Sequence, residues 1–286
     1  MDRQRVVWLV NQWFEQNRRD LPWRRSTPWG VMVSEFMLQQ TPVARVLGPW
    51  QEWMERWPTP DDLAAEEPGA AVAAWGRLGY PRRAQRLHRA AVAIAQEHQG
   101  QVPTTLEELR ALPGVGQYTA AAILSFAHGG RAVVLDTNIR RLLARVEGGQ
   151  QFPSASPTVA EWREAEAWLP EDEATAALWA ASSMELGALV CTARSPRCED
   201  CPVSELCAWR AAGYPAHEGP PRKPQAWHGT DRQCRGVILD LVRHSPDGVP
   251  VELALEAWTD RSQAERCLSG LLDDELVRRD AGLLRL

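Results

Sequence analysis

LPGVGQYTAAAIL, residues 112–124, lies between two helical patterns, with Leu106, Leu109 and Leu112 before the turn and Ala120, Ala121, Ala122, Ile123 and Leu124 after it. Two glycines two apart, stiffened by Pro113, let the chain turn sharply where the second helix begins. A helix start carries amide donors without intrahelical partners and the positive end of the helix dipole, and glycine lets an anion approach the backbone. The amides of Gly114, Gly116 and Gln117 are therefore expected to converge on a phosphate. This is the helix-hairpin-helix device, which grips a nucleic-acid backbone without reading its sequence; a helix corner with no ligand is the plainer alternative.

The rest of the chain sets bounds on that reading. Its 286 residues, 44% hydrophobic and 24% charged, have the composition of a globular protein with one large domain or two to three smaller ones. No run of eighteen apolar residues occurs, and MDRQRVVWLVNQWF at the N-terminus lacks the apolar core of a leader, so a cytoplasmic protein with no membrane partner is expected. A net charge of -5 argues against coating nucleic acid by bulk charge but leaves room for local basic patches. Two candidates are Arg82, Arg83, Arg86 and Arg89, and Arg131, Arg140, Arg141 and Arg145 around Asp136; either run is also readable as a solvated helix face. Lys223 is the only lysine in the chain, in a proline-rich segment.

Apolar residues recur at helical spacing up to about residue 210, as in Val6, Val7, Leu9, Val10 and Trp13. Helix starts are marked by Thr59-Pro60-Asp61-Asp62, by Pro103-Thr104-Thr105 and by Ser156-Pro157. Residues 213–229 are dense in proline and glycine and read as a linker. Beyond it, helical patterns over Val237–Val242, Pro250–Trp258 and Ala264–Asp273 precede a hairpin around Asp280-Ala281-Gly282, which suggests a small winged-helix-like module at 230–286.

Four of the six cysteines fall within seventeen residues: Cys191, Cys198, Cys201 and Cys207, with six, two and five residues between them. A disulfide framework is not expected in an intracellular chain with so few other cysteines. Four thiolates in one loop suit a [4Fe-4S] cluster or tetrahedral zinc, and one C-x2-C flanked by two outlying cysteines favours the cluster. Cys234 and Cys267 carry no such pattern and read as small core residues.

The order of hairpin, Asp136 and four-cysteine loop resembles the helix-hairpin-helix superfamily of DNA glycosylases. LPWRR at 21–25, SEFMLQQTPVARV at 34–46, GRLGY at 76–80 and LDTNIRR at 135–141 are similar to its MutY-type adenine DNA glycosylases. The resemblance covers residues 5 to about 210. It implies a mainly α fold, with an N-terminal helix over 1–22, a six-helix barrel domain with the hairpin over 23–134 and an iron-sulfur cluster domain over 135–212, one [4Fe-4S] cluster per chain. The partner it implies is double-stranded DNA containing an adenine mispair, bound by a monomer.

Residue roles follow from the same resemblance. Glu35 is the acid that protonates the leaving base, and its apolar neighbours Val33, Phe36 and Met37 suit a carboxyl that must hold a proton near neutrality. Asp136 is the carboxylate that stabilises the sugar cation, positioned by Asn138 and Tyr118. Gln40 and Tyr80 insert into the duplex while the target base is flipped, and Trp23, Arg24 and Leu38 line the adenine pocket. Arg82 and Arg83, directly after Tyr80, are expected to contact phosphates. Tyr118 stands where bifunctional relatives carry a Schiff-base lysine, so base removal without strand cleavage is expected. Two departures stand out: Pro81 replaces a frequent second aromatic, and about sixty residues after the linker are too few for the nudix-like domain of well-known members. A thymine glycosylase for T·G mismatches and a non-catalytic iron-sulfur DNA-binding protein are the competing readings.

Overall fold

A computed structural model describes residues 1–217, 219 and 227–286. Residues 218 and 220–226 of the proline-rich linker, Lys223 among them, lie outside these. The helices are α1 (Arg3–Asn17), α2 (Pro28–Leu38), α3 (Val43–Arg56), α4 (Pro60–Ala64), α5 (Pro68–Ala74), α6 (Arg82–Glu97), α7 (Leu106–Ala111), α8 (Gln117–His128), α9 (Thr137–Val146), α10 (Val159–Ala167), α11 (Glu173–Leu189), α12 (Ala208–Ala211), α13 (Asp231–Arg243), α14 (Val251–Glu256) and α15 (Arg261–Asp273). Three short 3-10 helices, Pro22–Arg25, Cys198–Asp200 and Ser204–Leu206, and three short strands, β1 (Val249–Pro250), β2 (Arg278–Asp280) and β3 (Leu283–Arg285), complete the described elements.

The chain divides into two compact units. The first takes Met1–Met32, Thr104–Ala111 and Val115–Pro220, and the second Val33–Pro103, Leu112–Gly114 and Pro221–Leu286. The hairpin is thus shared along the chain, with Gly114 counted in one unit and Gly116 in the other.

In the first unit the long helix α11 packs against α1, α8 and α9. Its middle is fully apolar apart from a few small hydroxyls, so it runs through a core that includes Val6, Val10, Ala122, Ile139, Leu142 and Leu186. Where polarity enters that core it is paired: Ser182 Oγ donates to Asn11 Oδ1 at 2.6 Å. Trp168 stacks on Trp179 with ring centroids 5.7 Å apart, closing one end.

In the second unit α4 and α5 pack on α6, whose apolar face carries Leu87, Ala90, Ala91 and Ile94. Trp53 meets Trp57 and Trp75 edge-on at 4.8 and 5.5 Å. The expected start at Thr59 is a complete capping box with Asp62. The expected start at Ser156-Pro157 is displaced: Thr158 caps α10, because only there does the spacing bring Glu161 back onto the cap amide.

Residues 230–286 run α13, β1, α14, α15, β2, β3, with a sheet in the order β1-β3-β2 and all pairs antiparallel. Pro250 is not helical as the apolar pattern suggested. It pairs with Leu283 on an outer strand, where a residue without an N–H is tolerated, and the helix begins at Val251. The hairpin tip is as anticipated: Ala281 and Gly282 take φ of 47° and 81°, the left-handed pair of a tight two-residue turn. Cys234 and Cys267 are buried in this module.

Candidate active site and metal centre

Asp136 begins α9 as its N-cap. Oδ1 accepts the backbone N–H groups of Asn138 at 2.9 Å and Ile139 at 2.7 Å, while Oδ2 accepts from Asn138 Nδ2 at 2.7 Å. Desolvation by the surrounding protein raises the carboxyl above its ordinary value, against the pull of those N–H donors and of Arg141. Asn138 is itself held, since Arg141 Nη2 donates to its Oδ1 at 2.9 Å. Arg141 also donates to the carbonyl oxygens of Gly187 at 2.6 Å and Cys191 at 2.7 Å. Gly187 permits this closeness, because a Cβ there would lie 2.8 Å from Asn138 Cβ.

Three of the four arginines around Asp136 are therefore not on a solvated face, and only Arg131 is exposed. Arg140, Arg141 and Arg145 are buried, Arg140 in an ion pair with Glu161 and Arg145 in the cysteine loop. The i, i+4 spacing of Arg141 and Arg145 on the apolar side of an amphipathic helix is the signal that separates such cations from surface ones.

Tyr118 sits in the first turn of α8, half-buried against the first unit's core. Gly116, Gln117 and Gly114 are exposed. Gly116 is the N-cap of α8 and has open space beside it, whereas Gly114 is the glycine the turn requires: its φ is 81° and a Cβ would meet Arg86 Cβ at 2.6 Å. Trp23 is buried, and Arg24 pairs with Glu185 at 3.1 Å and lies 5.0 Å over the Phe14 ring. Burial works to raise the Glu185 carboxyl, but Arg19 and Arg24 outweigh it and hold it below the usual range.

In the second unit Glu35 is buried, 6% exposed, within the run from Val33 to Met37, and Leu38 is half-buried. Gln40 and Tyr80 are exposed, each in left-handed backbone at φ of 56° and 49°. Arg83 joins the turns that carry them. It donates to Phe36 O at 2.9 Å, Met37 O at 3.1 Å and Gln39 O on one side, and to Gly79 O at 2.9 Å and Leu78 O at 3.3 Å on the other. This corrects the expectation for Arg83: it is 5% exposed, burial lowers its guanidinium to about 10, and its donors serve carbonyls rather than phosphate. Arg82, by contrast, remains exposed, in an ion pair with Asp274.

Cys191, Cys198, Cys201 and Cys207 line one cavity in the first unit and form no disulfide. Arg145 Nη1 donates to Cys191 Sγ at 3.3 Å, and burial pushes the Cys201 thiol up to about 12, with the neighbouring sulfurs adding to the effect.

Residues 33–166 match the HhH-GPD superfamily of base excision DNA repair proteins, and residues 191–207 match the iron-sulfur binding domain of endonuclease III. The chain is 49% identical over 270 residues to an adenine DNA glycosylase of Mycobacterium tuberculosis, covering 93% of this chain and 88% of the relative. The chain belongs to the HhH-GPD superfamily. An adenine DNA glycosylase of Mycolicibacterium smegmatis is 48% identical over 94% of this chain and 91% of its own. A solved thermostable thymine-DNA glycosylase superposes with a TM-score of 0.66 at 26% identity, covering 73% of this chain and 97% of that one.

As in other HhH-GPD proteins with this loop, the four cysteines hold an iron-sulfur cluster. The residues fit it. Thiols raised by burial and by one another stay protonated at neutral pH unless metal ionises them. Among the described residues no three ligand groups converge on a single ion, whereas four sulfurs around a shared cavity suit the wider span of a multi-iron centre.

Proposed function

We propose that this HhH-GPD protein is a monofunctional adenine DNA glycosylase of base excision repair, acting on adenine opposite 8-oxoguanine or guanine in duplex DNA. The observation that carries the reading is the Asp136 carboxylate, fixed by three N–H donors at a helix start. The relatives' names supply the base.

Glu35 donates its proton to N7 of a flipped adenine, weakening the bond between N9 and the sugar. As that bond breaks, its electron pair leaves with the base and positive charge develops on the deoxyribose. Asp136 stabilises that charge as an anion. Water adds at C1′ and loses a proton, giving free adenine and an abasic site. The Asn138 amide, held by Arg141, keeps Asp136 Oδ2 in one orientation. Gln40 and Tyr80, exposed on neighbouring turns, fill the duplex where the adenine leaves, and Trp23, Arg24 and Leu38 bound its pocket. Gly114, Gly116 and Gln117 grip the backbone through their amides, and Tyr118 positions Asp136 without offering an amine. Arg141 and Arg145 tie α9 to Cys191, so the loop that would hold the iron-sulfur centre is joined to the helix that Asp136 caps. The protein works as a monomer in the cytoplasm, on the nucleoid.

Single-turnover base release on duplexes with A opposite 8-oxoguanine, A opposite G and T opposite G tests this. Adenine release with strand breaks only after hot alkali supports the reading. Thymine release assigns the protein to the mismatch class instead, and tight DNA binding with no base released leaves an iron-sulfur regulator.

A further inference from the structure

The terminal module has the element order of a winged helix, and in DNA-binding modules of the helix-turn-helix kind the second helix of the pair enters the groove. Here that helix is α15, and its surface charge is spent within the module. Arg261 pairs with Glu252 at 2.7 Å and Glu265 at 3.1 Å, and Arg266 pairs with Asp231 at 3.5 Å.

The charge lies elsewhere. Within the second unit α13 forms one wall of a cleft of about 1070 Å³ whose opposite wall carries the Gln40 and Tyr80 turns. Eight arginines line it against two carboxylates, Asp240 and Asp274, in a chain whose net charge is -5. Both carboxylates are engaged by lining arginines, Asp240 by Arg77 at 2.8 Å and Asp274 by Arg82 and Arg235. The surplus is therefore cationic.

Docking of the module is specific. Gln85 Nε2 donates to Glu275 O at 2.7 Å and Asp274 O at 3.1 Å, and Arg243 Nε donates to Val72 O at 3.1 Å. Arg232, exposed on the first turn of α13, lies 5.2 Å over the Tyr80 ring, which Arg83 also approaches at 5.6 Å. The cleft-lining Arg86 stem packs under Gly114, so cleft and hairpin share a residue.

We propose that α13 and the Tyr80 turn form a second phosphate-binding groove, in which the module grips the sugar-phosphate backbone of the duplex beside the insertion point. The module acts through its first helix, not its winged-helix recognition helix. The inference rests on the reading above that the protein acts on duplex DNA.

Two variants test it. Arg232→Ala removes a cation, and Gly236→Glu places a negative charge on the cleft side of α13, where nothing lies within 4 Å of a new Cβ. Each is expected to weaken binding of a noncleaved A·8-oxoguanine duplex roughly tenfold, with the Arg232→Ala salt slope shallower by about 0.9. Arg261→Ala and Arg278→Ala, on α15 and the wing, leave affinity at the wild-type value. Thermal unfolding of each variant, compared with wild type, reports whether the module is folded. Wild-type affinity and salt slope in both cleft variants, or a loss in the α15 and wing variants instead, overturns the proposal. Adenine release by the unaltered protein separately decides whether the underlying activity stands.

Discussion

Asn138 Nδ2 donates to Asp136 Oδ2 at 2.7 Å, and the other end of the same amide accepts from Arg141 at 2.9 Å. Arg141 reaches the carbonyl of Cys191, so two side chains, Asn138 and Arg141, connect the carboxylate assigned to the sugar with the first cysteine of the iron-sulfur loop. Replacing Asn138 with Ala frees Asp136 Oδ2 and leaves the Arg141 donor facing a void. Single-turnover adenine release should fall on the order of 100-fold with duplex affinity retained. An equal loss in affinity would show that Asn138 holds DNA rather than the carboxylate.

Burial raises the Asp136 carboxyl above 3.8, while its assigned role needs the anion. As pH falls, Asp136 takes up its proton earlier than an ordinary aspartate, so the acid limb of the rate profile lies above pH 3.8. The sign for stability is opposite to that of a salt-bridged acid. The folded state binds the proton more tightly than the unfolded state, so the contribution turns unfavourable as pH rises from 3.8 through the folded value and stays so at neutrality. Single-turnover adenine release measured against pH checks the direction: an acid limb at or below pH 3.8 would contradict this account of the site.

Gly187→Ala tests the packing behind Asn138. The added methyl would stand 2.8 Å from both Asn138 Cβ and its carbonyl oxygen, where the last turn of α11 packs on the first turn of α9. A cost of about 1–3 kcal/mol in denaturant unfolding is expected, together with slower base release as Asn138 shifts. Wild-type stability would mean that α9 and α11 are less closely opposed than the structure shows.

Arg83→Met keeps the stem and deletes the guanidinium that joins the Gln40 and Tyr80 turns. Several carbonyls lose their donor at once, and destabilisation on the order of 3 kcal/mol follows. The salt dependence of duplex binding should be unchanged, because Arg83 is not a phosphate ligand. A shallower salt slope would restore the role that its sequence position suggested.

The hairpin, the cysteine loop and Asp136 were legible because each depends on local chemistry: a glycine pair at a helix start, a thiol spacing, a cap. The structure makes Asp136 the N-cap of α9 through Oδ1 and leaves Oδ2 to Asn138 Nδ2, so the cap and the assigned catalytic role share one carboxylate through different oxygens. What was not legible is what depends on who faces whom. Arg82 and Arg83 are adjacent in sequence, yet one is exposed and the other buried under five carbonyls, because successive residues of α6 point to different sides. The same holds for Arg140, Arg141 and Arg145. Pro250 read as helical on its apolar neighbours alone, whereas the strand that claims it, β3, lies 33 residues later.

The most direct test of the central claim is single-turnover adenine release from an A·8-oxoguanine duplex by wild type, Glu35→Gln and Asp136→Asn, each verified to carry its iron-sulfur centre and to bind the duplex. The account predicts an alkali-labile abasic product from wild type and none from either variant. Release by Asp136→Asn at the wild-type rate would remove Asp136 from the chemistry, and with it the proposed stabilisation of the sugar cation.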